Sequence, residues 1–271
     1  MDKIRVKQFI NINDKSLCYT DCGKGKVIVL LHGYLESLEV WDDFSKKLSQ
    51  NYRVICFDIP GHGQSDFLSE KQSMDQLATN IHKALHILNV EKSFLIGHSM
   101  GGYLTLMLHN LFPEILAGFC LFHSHPFADS KEKQNNRLRE MDLIHDGKKV
   151  LLASVNIPNT YATDNVNRFK AEIENAKRIV EQTPEKGIIA NLHAMMTRPD
   201  LSNSLKKTDV PFLYIVGKKD NLIDFEKTVP TIKLPRNSKL IVLEDSGHMG
   251  FIEEKEKSLT IIQNFIESKI N

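Results

Sequence analysis

Ser99 stands between glycines in Gly97-His98-Ser99-Met100-Gly101, a G-x-S-x-G. A serine hydroxyl is a weak nucleophile, and it attacks a carbonyl only when a base takes its proton. Two later residues have the types that this task needs. His248, in Ser246-Gly247-His248-Met249, lies in a short glycine-containing stretch ahead of the last helix, where an imidazole serves as general base. Asp220, in Gly217-Lys218-Lys219-Asp220, follows an apolar run and offers the carboxylate that fixes the imidazole tautomer. Asp224 and Asp129 are the alternatives for the acid, and chain order and loop position favour Asp220. Taken singly, His248 is an ordinary loop histidine and Asp220-Asn221 good turn chemistry. Their order after Ser99 is what singles them out. An attacked carbonyl becomes an oxyanion that N–H groups must meet. Met100 N–H, at the start of a helix, is one donor, and Tyr34 N–H is the other, reached because Gly33 after His32 lets the backbone approach.

These groups are useful only if the chain holds them together. Phe94-Leu95-Ile96 is too short an apolar run for a helix, whereas Tyr103, Leu104, Met107 and Leu108 recur at helical spacing. Ser99 is therefore predicted on a tight strand-to-helix corner, with backbone strain of about 1–3 kcal/mol. Upstream, residues 3–10 and 15–23 read as antiparallel strands joined at Asn13-Asp14. Apolar runs at 27–33, 53–58, 117–123, 211–217 and 239–245 read as buried strands. Helices are predicted through Leu38, Trp41, Phe44 and Leu48, and through Met74, Leu77, Ile81, Leu85 and Leu88 after a Ser73–Gln76 capping box. A last helix spans 253–269. Such alternation predicts a mostly parallel sheet with helices on both faces.

Residues 124–205 break the rhythm, with helical patterns only. Val166, Phe169, Ile173, Ala176 and Val180 form one stripe, and Pro184 opens a helix carrying Ile188, Leu192 and Met195. The expected organisation is a core of 1–123 and 206–271 with a helical cap, or lid, at 124–205 over the sheet's C-terminal edge. That edge is where open α/β sheets bind ligands. The insertion shows no long exposed apolar helix, which argues against work at a lipid–water interface.

Composition narrows the classes further. The 271 residues carry 35 basic and 34 acidic side chains, a formal charge of +1, which gives no reason to expect nucleic acid or a membrane surface as partner. No apolar stretch approaches eighteen residues and none opens the chain as a secretory signal would. Cys18, Cys22, Cys56 and Cys120 lack metal spacing and read as reduced thiols of a cytoplasmic protein. His123-Ser124-His125 ends a strand with both histidines expected on one face, but no further ligand stands at metal spacing, so no metal is expected.

The segments LLHGY, FDIPGHGQS, GHSMGG, VGKKD and SGHM, in that order, resemble the α/β-hydrolase superfamily, in particular its small carboxylesterase and haloperoxidase-like branch. The resemblance covers essentially the whole chain. It implies an α/β-hydrolase fold, a mostly parallel eight-stranded sheet with a helical cap insertion. It also implies Ser99 as nucleophile, Asp220 as acid and His248 as base, with no cofactor. Serine at the corner separates the chain from dehalogenases and epoxide hydrolases, and His32-Gly33-Tyr34-Leu35 lacks the HGGG loop of many lipases. The 58–65 loop is expected to be structural, with His62 not catalytic. The expected substrate is a small carboxylic ester, thioester or lactone, handled by a monomer or homodimer. The alternatives are carbon–carbon hydrolysis of a diketone and a receptor that retains the triad. Pocket candidates are His32, Gly33, His98, Phe122, His125, Phe127, Met195 and Met196, with Tyr161 a further lining candidate.

Overall fold

Each apolar run becomes a strand in the computed structural model, which describes residues 6–269. The strands are β1 (Gln8–Ile12), β2 (Lys15–Cys22), β3 (Val27–Leu31), β4 (Arg53–Phe57), β5 (Ser93–His98), β6 (Leu116–Phe122), β7 (Phe212–Gly217) and β8 (Ser238–Leu243). They form one sheet in the order β1-β2-β4-β3-β5-β6-β7-β8. The β1–β2 and β2–β4 pairs are antiparallel and the remainder are parallel. At the hairpin, Asn13 and Asp14 both have positive φ, 52° and 60°, as a two-residue turn between twisted strands requires. Residues 3–5 of the first predicted strand lie outside the described residues.

Because β3 lies between β4 and β5, the chain reverses its direction of progress across the sheet at that point. The loops leaving β3 and β5 then diverge and leave a crevice at their C-terminal ends. β3 and β5 are buried along almost their whole length. β8 departs from the expected buried strand, for Lys239 and Leu240 are exposed. It has a neighbour on one side only, and a lysine on such an edge discourages pairing with a further strand.

The helix predicted around Trp41 is a 3-10 turn, Leu38–Trp41, running into α1 (Asp42–Leu48), and its four apolar residues are all buried. α2 (Met74–Ile87) begins with the expected capping box, Ser73 Oγ accepting from Gln76 N–H and Gln76 Oε1 from Ser73 N–H. α3 (Met100–Leu111) follows Ser99 directly. Between β6 and β7 come α4 (Lys131–His145), α5 (Lys149–Asn159), α6 (Lys170–Gln182), α7 (Glu185–Thr197) and a short helix, Ser202–Lys206, with no strand among the described residues. α6 starts later than its stripe suggested, and Pro184 occupies the N-cap of α7 rather than its first turn. The last helix, Lys255–Lys269, is preceded by a separate short one, Gly250–Glu253.

α5 corrects one expectation. Val150, Leu151 and Val155 are 54, 59 and 63 % exposed, so the insertion does present an apolar helix face. The same helix buries Leu152, Ala153 and Ile157. With apolar residues on both faces, periodicity could not tell which one the protein covers.

α7 rests on the 58–65 loop through glycine. A Cβ at Gly187 would stand 2.0 Å from Gly61 O, and Asn191 Nδ2 donates to Pro60 O at 2.8 Å. Gly187→Ala is therefore expected to push the helix off the loop and destabilise the protein by about 1–3 kcal/mol, as overpacking does. Urea unfolding would read this, and an unchanged midpoint would contradict the close contact.

Candidate active site

Tyr34, Ser99, His123, Asp220 and His248 each lie just beyond the C-terminal end of a parallel strand, β3, β5, β6, β7 and β8 respectively. The parallel register brings these five loops to one edge of the sheet. Ser99 has φ 50° and ψ −113°, a left-handed corner that non-glycine residues seldom adopt. Gly101 makes the corner possible, since a Cβ there would meet Leu31 O at 2.2 Å. Met100 opens α3, so its N–H belongs to the first turn, where no intrahelical acceptor exists. Across the crevice, Gly33 N–H is held by Glu36 Oε2 at 2.6 Å and Leu35 N–H by His62 Nε2 at 3.2 Å. Between these two, Tyr34 N–H has no partner among the described residues.

His248 Nδ1 lies 2.7 Å from Asp220 Oδ2. The other carboxylate oxygen accepts from Leu222 N–H and Ile223 N–H at 2.8 and 2.9 Å. Burial works against the Asp220 charge, but His248, together with hydrogen bonding from His123 and His248, holds its carboxyl far below the usual carboxylate range. His248 Nε2 is buried and has no hydrogen-bond partner among the described residues, so it is not bonded to Ser99 Oγ. Ser99 and His248 nevertheless line the same cavity, of about 330 Å³. Reactive hydrogen bonds often tighten only when substrate is bound.

His123 is the neighbour that sequence reasoning placed wrongly. Its φ of 47° breaks the strand alternation, so His123 and His125 do not share a face. His123 Nδ1 approaches Asp220 Oδ2 at 3.4 Å, whereas His125 Nε2 meets Tyr103 Oη at 3.3 Å. Burial lowers His123 to about 4, and Gly217 N–H and Gly250 N–H point at its two ring nitrogens from 3.0 and 3.2 Å. Ligating atoms of His123, Asp220 and His248 fall within 4.8 Å of one another. The 2.7 Å Asp220–His248 bond already employs one atom of each of the last two.

Among the predicted pocket residues, only Met195 lines the Ser99 cavity. His32, Gly33, His98, Phe122, His125, Phe127 and Met196 do not. His32 Nε2 accepts from Ile59 N–H, Phe122 is buried against Phe251, and His125 sits behind Tyr103 with Phe127 against its ring. Tyr161 lines a different cavity, of about 630 Å³ beside α1 and α6, which contains none of Ser99, Asp220 and His248. One wall of the Ser99 cavity comes instead from α4, through Lys133, Asn136, Arg137 and Glu140. Polar residues at that spacing look like a solvated face in the sequence, which is why they were missed. Arg137 pairs with Asp129, which also holds Arg198 at 2.7 Å, and Tyr34 Oη donates to Glu140 at 3.1 Å. Asp129 is thus committed to two arginines, and Asp224 caps the short helix Phe225–Thr228.

The His248 loop is bound to the insertion. His248 N–H donates to Thr160 O at 2.7 Å. Glu253 accepts from Gly247 N–H and Met249 N–H on one side, at 2.9 and 3.2 Å, and from Ala162 N–H and Asn165 Nδ2 on the other, at 2.9 and 2.7 Å. Glu253→Gln replaces one accepting oxygen by a donor and leaves buried N–H groups unpaired. A loss of about 1–3 kcal/mol is expected by analogy with other unsatisfied buried groups, read as a lower unfolding midpoint.

The alpha/beta hydrolase fold family model matches residues 26–255. The chain is 25 % identical over 280 residues to 2-hydroxy-6-oxo-6-(2'-aminophenyl)hexa-2,4-dienoic acid hydrolase of Metapseudomonas resinovorans, covering 97 % of this chain and 92 % of that one. It is likewise 25 % identical to human monoacylglycerol lipase ABHD6, covering 97 % of this chain and 83 % of the relative. A thermophilic esterase from Thermogutta terrifontis superposes with a TM-score of 0.91 at 25 % identity, over 99 % of this chain and 100 % of that one.

Proposed function

The chain belongs to the alpha/beta hydrolase fold family, and from that premise we propose that it is a serine hydrolase that cleaves a small carboxylic ester, thioester or lactone through an acyl-enzyme on Ser99. The observation that carries the reading is the 2.7 Å Asp220–His248 pair, whose unpartnered Nε2 belongs to a residue lining the same cavity as Ser99. Ser99 Oγ bonds to the substrate carbonyl carbon as His248 Nε2 takes its proton, and the carbonyl oxygen becomes an oxyanion held by the N–H groups of Tyr34 and Met100. His248 then gives the proton to the leaving oxygen or sulfur as that bond breaks. Water attacks the acyl-serine, passing a proton to His248, and the intermediate expels Ser99 Oγ, which recovers that proton and frees the acid. Asp220 keeps the imidazole oriented and stabilises its cationic form.

Residues 124–205 act in this reading as a lid, supported by the side chains of α4, α5 and α7 that line the cavity. The α4 wall offers a substrate polar contacts through Lys133, Asn136, Arg137 and Glu140, beside apolar ones such as Ile157, Met195 and Ile223. Among the described residues no helix is long and apolar enough to cross a membrane, and the reading of the cysteines as reduced thiols fits a cytoplasmic location. A monomer or homodimer would suffice, since every proposed catalytic group comes from one chain.

Purified protein is expected to turn over short p-nitrophenyl esters repeatedly and to be labelled by a fluorophosphonate, and Ser99→Ala should abolish both. At most one product per protein molecule would point to a receptor. Faster cleavage of a vinylogous diketone than of any ester would point to carbon–carbon hydrolysis. Asp220→Asn should lower kcat by about 10⁴-fold with the fold retained, as loss of a triad acid does. An unchanged kcat would remove Asp220 from the mechanism.

A further inference from the structure

We infer that His98 is a positioning residue for the proposed base: a buried imidazolium, paired with Glu36, that grips the backbone carbonyl of His248. The inference rests on the serine-hydrolase reading for its purpose but not for its chemistry. His98 is fully buried, and the Glu36 side chain is 6 % exposed. His98 Nδ1 stands 3.0 Å from Glu36 Oε1 and 3.1 Å from Oε2. Its Nε2 stands 2.8 Å from His248 O. A carbonyl oxygen only accepts, so Nε2 carries a proton. An ionised carboxylate also only accepts, so Nδ1 carries one too, and a ring with two N–H groups is a cation. Glu36 Oε2 additionally accepts from Gly33 N–H at 2.6 Å, a contact that favours the ionised carboxylate.

The surroundings are consistent with this assignment. Burial disfavours a charged His98, but the charge and hydrogen bond of Glu36, the His248 carbonyl and the Asp220 charge together outweigh it and raise the ring above its ordinary value. Burial likewise opposes the Glu36 charge, and His98, with the Gly33 N–H and His32, reverses that and lowers the carboxyl. Trp41 and Phe251 pack against the His98 ring, with centroids at 6.4 and 4.9 Å. Its titratable ring neighbours are His123 at 6.2 Å and His248 at 4.9 Å, and the Asp220 and Glu36 charges both favour its cation. Room for the pair comes from Gly33, where a Cβ would stand 2.9 Å from both Glu36 Oε1 and His98 Nδ1. Gly33 is therefore required by a buried ion pair as well as by the approach of the Tyr34 backbone.

The consequence falls on His248. Its N–H is held by Thr160 O of the insertion and its C=O by His98 at the nucleophile corner. His98 adjoins Ser99 in sequence, so one rigid segment carries the proposed nucleophile and fixes the backbone of the proposed base. Freeing the carbonyl lets the imidazole drift from the line of proton transfer, and a displacement of about 1 Å costs about 10²-fold in rate.

The test begins with protein labelled with ¹⁵N-histidine. Long-range ¹⁵N–¹H spectra of the wild type and of Ser99→Ala, with the His98 signal identified by its loss in His98→Phe or His98→Gln, should show both His98 nitrogens protonated at pH 8. That pH is well above the ordinary histidine value of about 6.5. A singly protonated His98 at pH 8 overturns the inference. Glu36→Gln should return His98 to a single ring proton at pH 8, and persistence of two protons without the carboxylate also overturns it. His98→Phe, checked for folding by near-ultraviolet circular dichroism, should lower kcat about 10²-fold with KM held within about twofold. A folded variant with wild-type kcat removes the positioning role. Should His98→Phe not fold, His98→Gln and Glu36→Gln carry the comparison. A protein that cleaves no ester, yet shows the doubly protonated ring, would refute the proposed function and leave the ion pair standing.

Discussion

Ser99 keeps its left-handed backbone because nothing larger than hydrogen fits at three neighbouring positions. A Cβ at Gly97 would meet Gly101 O at 2.2 Å, one at Gly101 would meet Leu31 O at 2.2 Å, and one at Gly102 would meet the Ser124 side chain at 2.4 Å. These contacts press the start of α3 against the ends of β3 and β5, and Ser124 Oγ closes the corner by donating to Ser99 O at 2.8 Å. Strain of about 1–3 kcal/mol survives only where the surrounding structure over-determines it. At Gly97 and Gly101 the over-determination is backbone against backbone, which no side-chain rotation can relieve. In the first turn of α3, Gly102 N–H is taken up by Ser99 O at 2.9 Å, whereas Met100 N–H, at the head of the helix, has no intrahelical acceptor.

Around that corner the protein buries several carboxylates. Asp220, Glu36, Glu253 and Asp129 are all withdrawn from solvent, and each is met by donors: two backbone N–H groups and His248 for Asp220, His98 and Gly33 for Glu36, four N–H groups for Glu253, two arginines for Asp129. A buried carboxylate without such partners would cost several kcal/mol. Each network joins segments distant in sequence, so the loops beyond β3, β5, β7 and β8 are held relative to one another by polar contacts as well as by apolar packing.

The insertion between β6 and β7 takes part in those networks. Thr160, Ala162 and Asn165 reach the His248 loop, Asn191 and Gly187 reach the 58–65 loop, and Asn221 Nδ2 donates to Tyr161 O at 3.0 Å. His62 stands at the centre of the second contact, with Asn191 Nδ2 at 2.9 Å from its Nδ1 and Leu35 N–H on its Nε2. Movement of α7 is thereby linked to the Tyr34 segment, and movement of the 160–165 stretch to His248.

The sheet and its flanking helices were legible because their signals are local. Continuous apolar runs such as Val27–Leu31 mark strands covered on both faces, Ser73 and Gln76 mark a helix start, and glycines around Ser99 mark a corner. Motif order also pointed to Asp220 and His248, which the strand ends bring together at 2.7 Å. What the residues alone could not settle were features decided by facing partners. Lys133, Asn136, Arg137 and Glu140 read as a solvated helix face until α4 lies over the sheet edge. Leu240 reads as core until β8 is found to have one neighbour. His123 and His125 read as a pair until a single φ of 47° sends them apart. Local sequence determines backbone preference and apolar pattern within a few residues, whereas burial and polar partnership depend on which distant surfaces meet, and only the tertiary structure decides that.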